Sequence, residues 1–386
     1  MPQGIKIIHL MKDCANPNGI PNFPYFIPLL LEEKGYYNYI LLTRNPTLPK
    51  VKPRRDLPLI KHIPSKIKVI KEVISQRPDI LIIYHHFGSP LAFVLLLISK
   101  ILKCKTIAQP DFNEYGIPKR HKSIQRTIKD IFRWVLIVLQ LILFDRIVCA
   151  TEYEINVLSQ IRRVSEDKYC IIPWGTEFEV KTSRKENYIL TVSKWWRYRK
   201  NLHTILKVFS EVIKERPCKL VIVGKFFEGK DDEVERMYNT VMTGEEYKQE
   251  IMRMIKELNL KEYIEFTGVI SEEEKKRLYK KAKIFYLPSK YETFGMVYVE
   301  AMASGTPIVA MKNSAVQYVV KDGVTGFLRN DEEGQKEAIL RLLTDEKLYK
   351  EMQENCLKEA EKYRWENVIK KWERLIKELV EGKDVC

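Results

Sequence analysis

The chain alternates short unbroken apolar runs with longer stretches in which apolar residues recur every three or four positions. Ile80-Leu-Ile-Ile-Tyr84, directly after Pro78-Asp79, is the clearest run. An unbroken run of that length fits a strand buried on both faces of a parallel sheet. The three-to-four spacing fits helices lying on such a sheet. In the first half the pattern predicts strands at 6–10, 39–43, 80–84, 106–108, 147–150 and 169–172, with helices at 26–34, 91–102 and 124–144. Gly35 follows the first helix as a stop signal. The pattern then restarts, with strands at 188–192, 219–223, 264–267, 284–287 and 307–310 and helices at 203–214, 248–258, 272–281, 295–304 and 334–343.

Strands alternating with helices of this length predict a parallel sheet with helices on both faces. The expected fold class is therefore α/β, as two Rossmann-like domains facing each other across a cleft. The expected bounds are 1–178 and 179–365, with 366–386 a terminal helix packing back toward the first domain. In open α/β sheets ligands bind beyond the carboxyl ends of the strands, so those ends are where chemistry is sought. The segment 225–247, rich in Gly and charge, reads as a surface loop with a short helix.

Composition narrows this picture. The 386 residues exceed what one ordinary core organises, and 45% hydrophobic with 30% charged residues is an ordinary globular balance. The chain opens on a strand pattern and not on a signal peptide. The longest apolar stretches, 91–98 and 134–144, fall well short of the roughly 20 residues of a membrane span and read as buried core helices. Seven scattered cysteines, an odd number with no C-x-x-C pair, argue against a disulfide framework or a zinc site. They point to a reducing cytosol as the location.

Charge adds a question. The net charge is +15, and residues 1–180 hold 26 Lys/Arg against 16 Asp/Glu, while 181–386 hold 40 against 35. A basic excess in the first half suits nucleic acid, an anionic membrane surface or a phosphorylated substrate, or is simply a solvated lysine-rich surface. No nucleic-acid-binding motif accompanies it, so nucleic acid is not an expected partner. Lys119, Arg120, Lys122, Arg126, Lys129 and Arg133 run directly into Trp134 and an apolar helix, a combination that suits a membrane surface.

The chemistry concentrates in Pro288-Ser-Lys-Tyr-Glu-Thr-Phe-Gly-Met-Val-Tyr-Val-Glu-Ala-Met-Ala-Ser-Gly-Thr-Pro307. A strand ends at Leu287, a loop carries Glu292, and a helix starts near Gly295. Glu300 is the only charge on that helix, among Met296, Val297, Val299, Ala301 and Met302. A buried carboxylate needs a partner. A lysine would serve, but a ribose diol is the better reading, since one carboxylate accepts from both hydroxyls. The amides of Thr293, Phe294, Gly295 and Met296 open a helix N-terminus suited to negative charge. Upstream, Lys194, Arg197, Arg199, Lys200 and His203 follow the first strand of the second half, a cation cluster at a strand's carboxyl end. Lysines, helix amides and a buried carboxylate together suit a nucleoside diphosphate. Gly224, closing the next strand, is counted with the donor-binding residues.

The Glu292-x7-Glu300 segment, with Phe294-Gly295 inside it and Ala301-Met302-Ala303 after it, resembles the donor-site motif of glycosyltransferase family 4. These are retaining enzymes of GT-B fold, the "glycosyl transferases group 1" type. Further segments match in order: Asn18-Gly19 as the N-terminal loop, 78–86 as the histidine-bearing strand, 145–152, the turn Ile172-Pro173-Trp174-Gly175, Glu265-Phe-Thr-Gly268 and Gly323-x-x-Gly326. The resemblance implies that Glu300 binds ribose, that Glu292 with the neighbouring amides holds the transferred sugar, and that Lys200 and Lys194 hold the diphosphate. It implies that His85 or His86 approaches the sugar and that Gly19 belongs to a donor-side loop. The implied donor is a nucleotide-diphosphate sugar, with no separate cofactor and no metal. Acceptors bind the first half in the resembled architecture, and the basic excess there favours a glycan, lipid-linked or phosphorylated acceptor slightly ahead of a soluble one, in the cytoplasm or peripherally at the inner face of the membrane. Departures touch the acceptor side most: Ser314-Ala315-Val-Gln-Tyr318 replaces a Gly-Gly-x-x-Glu pattern, and Gln109-Pro110-Asp111 stands where many members carry histidine. The rivals are a non-catalytic nucleotide-sugar binder on the same scaffold and a basic nucleic-acid-binding protein.

Overall fold

The computed structural model describes residues 4–12, 23–43, 59–84, 87–110, 124–195, 199–226 and 243–382. Two compact units result, Met1–Gly175 with Trp365–Cys386, and Thr176–Arg364.

In the first unit the chain runs β1 (Lys6–Met11), α1 (Phe23–Glu33), β2 (Tyr37–Leu42), β3 (Leu59–His62), α2 (Lys66–Gln76), β4 (Ile80–Tyr84), α3 (Pro90–Leu102), β5 (Lys105–Gln109), α4 (Ile124–Leu143), β6 (Arg146–Cys149), α5 (Glu152–Ile161) and β7 (Tyr169–Ile171). Its sheet has the order β3-β2-β1-β4-β5-β6-β7, with every pairing parallel. Ile80 to Tyr84 are all buried, as an unbroken apolar run in a central strand requires. His9 on β1 is also fully buried, with one ring nitrogen 3.0 Å from the Tyr84 hydroxyl and the other 2.8 Å from Asn38 Oδ1. The last helix, α13 (Trp365–Glu381), returns to this unit, where Trp365 stacks on Phe26 of α1 at 5.3 Å between ring centroids.

The second unit runs β8 (Glu186–Val192), α6 (Leu202–Glu215), β9 (Lys219–Val223), α7 (Gly244–Glu257), β10 (Ile264–Gly268), α8 (Glu272–Lys281), β11 (Ala282–Leu287), α9 (Met296–Ala303), β12 (Ile308–Ala310), α10 (Val316–Val319), β13 (Gly326–Leu328), α11 (Glu332–Thr344) and α12 (Glu346–Ala360). Its sheet is β10-β9-β8-β11-β12-β13, again parallel throughout. Cys104, Cys149, Cys170, Cys218 and Cys356 are buried free thiols spread over the two units.

The structure corrects the sequence reading in several places. Strand β3 was missed because Leu-Ile-Lys-His carries too short an apolar signal; pairing along β2 makes it a strand. Helix α2 was missed although Ser65 caps it and Val69 and Val73 bury at i, i+4 spacing. Helix α7 starts at Gly244 rather than 248, because Thr243 and Glu246 form a capping box. The reading of 91–98 and 134–144 as buried core helices holds for one face only. Ile137 and Leu141 of α4 are buried, whereas Phe132, Val135 and Leu139 of the same helix are exposed. No helix among the described residues is long and apolar enough to cross a membrane.

Candidate functional site

Strands β8 and β11 lie side by side in the sheet although 89 residues separate Val192 from Ala282 by two intervening strands in sequence. The strand order reverses between them, which is the switch point where open α/β sheets bind ligands. The loops leaving their carboxyl ends carry the cation cluster and Glu292.

The first loop is held rigidly at its start. Ser193 N–H donates to Val223 O at 3.1 Å and Trp195 N–H to Lys225 O at 3.0 Å, and the Trp195 side chain is fully buried. Gly224 makes this possible. It has φ +117°, and a Cβ there would sit 1.7 Å from Ser193 O. Its place in the site is thus a close approach of two backbones, and its own N–H donates to Gly268 O at 2.8 Å. Lys194 is exposed beside it.

The second loop is sewn to the first. Lys290 N–H and the Ser289 hydroxyl both donate to Arg199 O, at 2.9 and 3.2 Å. Arg199 Nε donates to Tyr291 O at 3.4 Å, with the guanidinium over the Tyr291 ring. At the centre Lys200 Nζ meets Glu292 Oε1 at 2.5 Å, and both side chains are largely buried. The sequence reading had Lys200 waiting for a phosphate and did not foresee this ion pair; proximity of the two strand ends creates it. His203, counted there with the cations, pairs with Glu250 at 3.0 Å. Arg197 lies outside the described residues.

A third loop, after β12, supports Glu292 from behind. Glu292 N–H donates to Ser314 Oγ at 3.0 Å, and Asn313 Nδ2 donates to Ser289 O at 2.6 Å. Ser314 holds φ +35°, a left-handed backbone that glycine adopts at lower cost. The residue that departs from the family pattern is therefore tied to the central carboxylate's own backbone.

Gly295 precedes α9 with φ +89°, and a Cβ there would lie 2.6 Å from the Tyr298 ring. Phe294 is buried and meets Tyr363 edge to face at 5.9 Å, while Thr293, Gly295 and Met296 stay part-exposed. The Tyr298 hydroxyl donates to Leu287 O at 2.9 Å, pinning α9 to the end of β11. The open amides at this helix start carry the positive end of its dipole.

Glu300 is 7% exposed. Its Oε1 accepts from Lys275 Nζ of α8 at 3.0 Å, and Lys275 also reaches Glu272 at 2.8 Å. The sequence reading weighs a lysine and a diol as partners of Glu300 and prefers the diol; the structure places a lysine there. Lys275 stands in the charged run Glu272-Glu-Glu-Lys-Lys-Arg277, which gave no sign of facing inward. One lysine does not saturate the carboxylate, however: the buried Tyr279 hydroxyl also lies close enough to Glu300 to help hold it ionised. Burial raises the Glu300 pKa, against the pull of Lys275. Burial lowers that of Lys275, but Glu300 and Glu272 outweigh it, so the net shift is upward.

In the first unit the strand order reverses between β1 and β4, so its own switch point lies beyond Met11 and Tyr84. Gly19, His85 and His86 follow those two strands and lie outside the described residues.

Residues 175–359 match the family described as "Glycosyl transferases group 1". The alpha-monoglucosyldiacylglycerol synthase of Streptococcus pneumoniae is 27% identical over 254 residues, which is 58% of this chain and 53% of that protein. The N-acetyl-alpha-D-glucosaminyl L-malate synthase of Bacillus anthracis is 25% identical over 200 residues, 51% of this chain and 47% of that one. The chain thus spans about half the length of these curated relatives. Among solved structures, Anabaena HepE in complex with UDP superposes with a TM-score of 0.72 at 16% identity, covering 96% of this chain and 99% of that one. Sucrose-phosphate synthase from Thermosynechococcus elongatus gives 0.73 at 18% identity, covering 98% and 100%. The two parallel-sheet units have the GT-B fold of these solved structures, and the matched region, just under half of the chain, spans nearly all of the second unit: residues 175–359 are similar to the glycosyl transferases group 1.

Proposed function

We propose that the chain transfers a sugar from a nucleotide-diphosphate sugar to an acceptor hydroxyl, with retention of anomeric configuration. The observation that carries this is the buried Lys200–Glu292 pair at a switch point, beside the start of the helix that holds the buried Glu300. A carboxylate accepts several hydrogen bonds, so a ribose hydroxyl would add a donor to those that Glu300 already has. The likeness to a fold solved with UDP supports a nucleoside diphosphate as the ligand type.

In this reading Lys200 and Lys194, with the amides of Thr293 to Met296, neutralise the diphosphate. As a phosphate takes over Lys200, the Glu292 carboxylate is released to accept from hydroxyls of the transferred sugar. The acceptor oxygen then bonds to the anomeric carbon while the bond from that carbon to the phosphate oxygen breaks. The acceptor's proton passes to the departing diphosphate. Catalysis is positioning plus electrostatic stabilisation of the leaving group, with no separate cofactor. The resemblance assigns His85 or His86 a part at the sugar and Gly19 a part in a donor-side loop. A lipid-linked or phosphorylated acceptor is favoured, with the enzyme in the cytoplasm or at the inner membrane face. The basic first half supports this, as do relatives named for diacylglycerol and inositol phosphate chemistry.

Donor hydrolysis without acceptor tests the proposal. A panel of nucleotide-diphosphate sugars, followed by release of nucleoside diphosphate, is expected to give slow turnover with one or a few donors, undiminished in excess chelator. A strict requirement for magnesium or manganese would contradict stabilisation by lysines and helix amides. Nucleotide binding without any hydrolysis would instead favour a non-catalytic binder, the reading that the Ser314–Tyr318 departures support.

A further inference from the structure

We propose that the outward face of α3 and α4 in the first unit docks on an anionic lipid surface. Helix α4 is apolar on two opposite sides. Ile137 and Leu141 bury against the sheet, while Ile128 (59% exposed), Phe132 (56%), Val135 and Leu139 line the other side. Their spacing, i, i+4, i+7 and i+11, draws one continuous stripe along the helix. Helix α3 packs beside it and adds Leu97 and Ile101, the latter 81% exposed. Scattered exposed apolar residues are ordinary, but a continuous patch on two neighbouring helices marks a surface made to be covered.

Charge decides what covers it. On the described part of these elements Lys100, Lys103, Lys105, Lys129, Arg133 and Arg146 stand against Asp130 and Asp145. Lys103, directly after α3, and Lys129 and Arg133 on α4 are exposed. A second copy docked by the same face would set this excess against itself. An anionic leaflet neutralises it while the apolar stripe enters the headgroup boundary. The helix lies on the surface and does not cross it. The face belongs to the first unit and the donor site to the second, so this inference does not depend on the reading of Glu292 and Glu300. It would give a lipid-linked acceptor a physical route to the enzyme.

The test is co-sedimentation of the full chain with vesicles of phosphatidylcholine alone or mixed with phosphatidylglycerol. Binding to the mixed vesicles is expected, weakening as salt rises, with none to phosphatidylcholine alone. Two variants separate the contributions. Phe132→Ser with Val135→Ser removes exposed apolar area, and Lys129→Ser with Arg133→Ser removes charge. Each is expected to lower partitioning by about tenfold or more while melting temperature and nucleotide binding stay those of the parent. Failure of the parent to bind mixed vesicles at low salt would overturn the proposal. So would variants that bind like the parent, or a dimer that the apolar variant splits without any vesicle binding. A loss of nucleotide binding in the parent would instead count against the donor site alone.

Discussion

Glu292 and Glu300 sit on one turn-and-helix segment but live in different circumstances. Glu292 is neutralised by Lys200 at 2.5 Å and anchored through its backbone to Ser314. Glu300 shares Lys275 with Glu272 and has the buried Tyr279 hydroxyl beside it. The sequence made both carboxylates visible, because each breaks an apolar or strand-ending context. It did not reveal Lys275, Ser314 or Asn313, since their roles depend on which loops the sheet brings together. Another single residue offers a clean test of burial. His9 is fully enclosed, and desolvation pushes its pKa down to about 4, against the hydrogen bond that its ring donates to Asn38 Oδ1. Between the ordinary value of 6.5 and about 4 the unfolded chain binds a proton there that the folded chain refuses. The stability it protects is therefore complete above pH 6.5 and is lost as pH falls toward 4, by about 3 kcal/mol in all. Urea unfolding from pH 7 to 4 is expected to show a shallower decline in His9→Gln than in the parent. Equal slopes would mean that His9 does not remain neutral in the fold.

At the scale of elements, the site exists because β8 and β11 are neighbours and their loops interlock. Strands with unbroken apolar runs, such as Ile80–Tyr84 and Lys219–Val223, were legible to the residue, as was α8 over Glu272–Lys281. What escaped were elements made by tertiary pairing or caps: β3 along β2, and the first turn of α7. Periodicity also could not tell that α4 is apolar on both sides with only one of them buried, because it reports apolar residues and not what covers them. Gly224 belongs to this scale too, since it lets the exits of β8 and β9 touch. Gly224→Ala would drive a Cβ to 1.7 Å from Ser193 O at a backbone angle that side chains rarely adopt. A destabilisation of about 3 kcal/mol is expected, with weakened nucleotide binding because the Lys194 loop must shift. Thermal unfolding and a nucleotide titration would check both. A variant as stable as the parent would show that the two strand exits need not approach so closely.

For the whole molecule, two parallel-sheet units divide the properties between them. The second carries the carboxylates, the lysine and the helix start at one switch point. The first carries the basic excess and the exposed α3–α4 face. The fold class and the donor-site segment could be read from sequence, since both rest on local patterns of apolar runs, glycines and isolated charges. The acceptor could not, because acceptor selection rests on loops whose residues here depart from the family pattern. The central claim is that the second unit grips a nucleoside diphosphate through Glu300 and Lys200. Calorimetric titration of the parent, Glu300→Gln and Lys200→Ala against a panel of nucleoside diphosphates tests it most directly. At least one nucleotide is expected to bind the parent, and each variant is expected to weaken it by about tenfold or more, since each loses a charge-assisted hydrogen bond. Affinity in the parent is also expected to fall as pH drops through the raised pKa of Glu300, because ribose donates to the ionised carboxylate and protonation removes that acceptor. A parent that binds no nucleotide, or variants that bind every nucleotide as tightly as the parent does, would contradict the account.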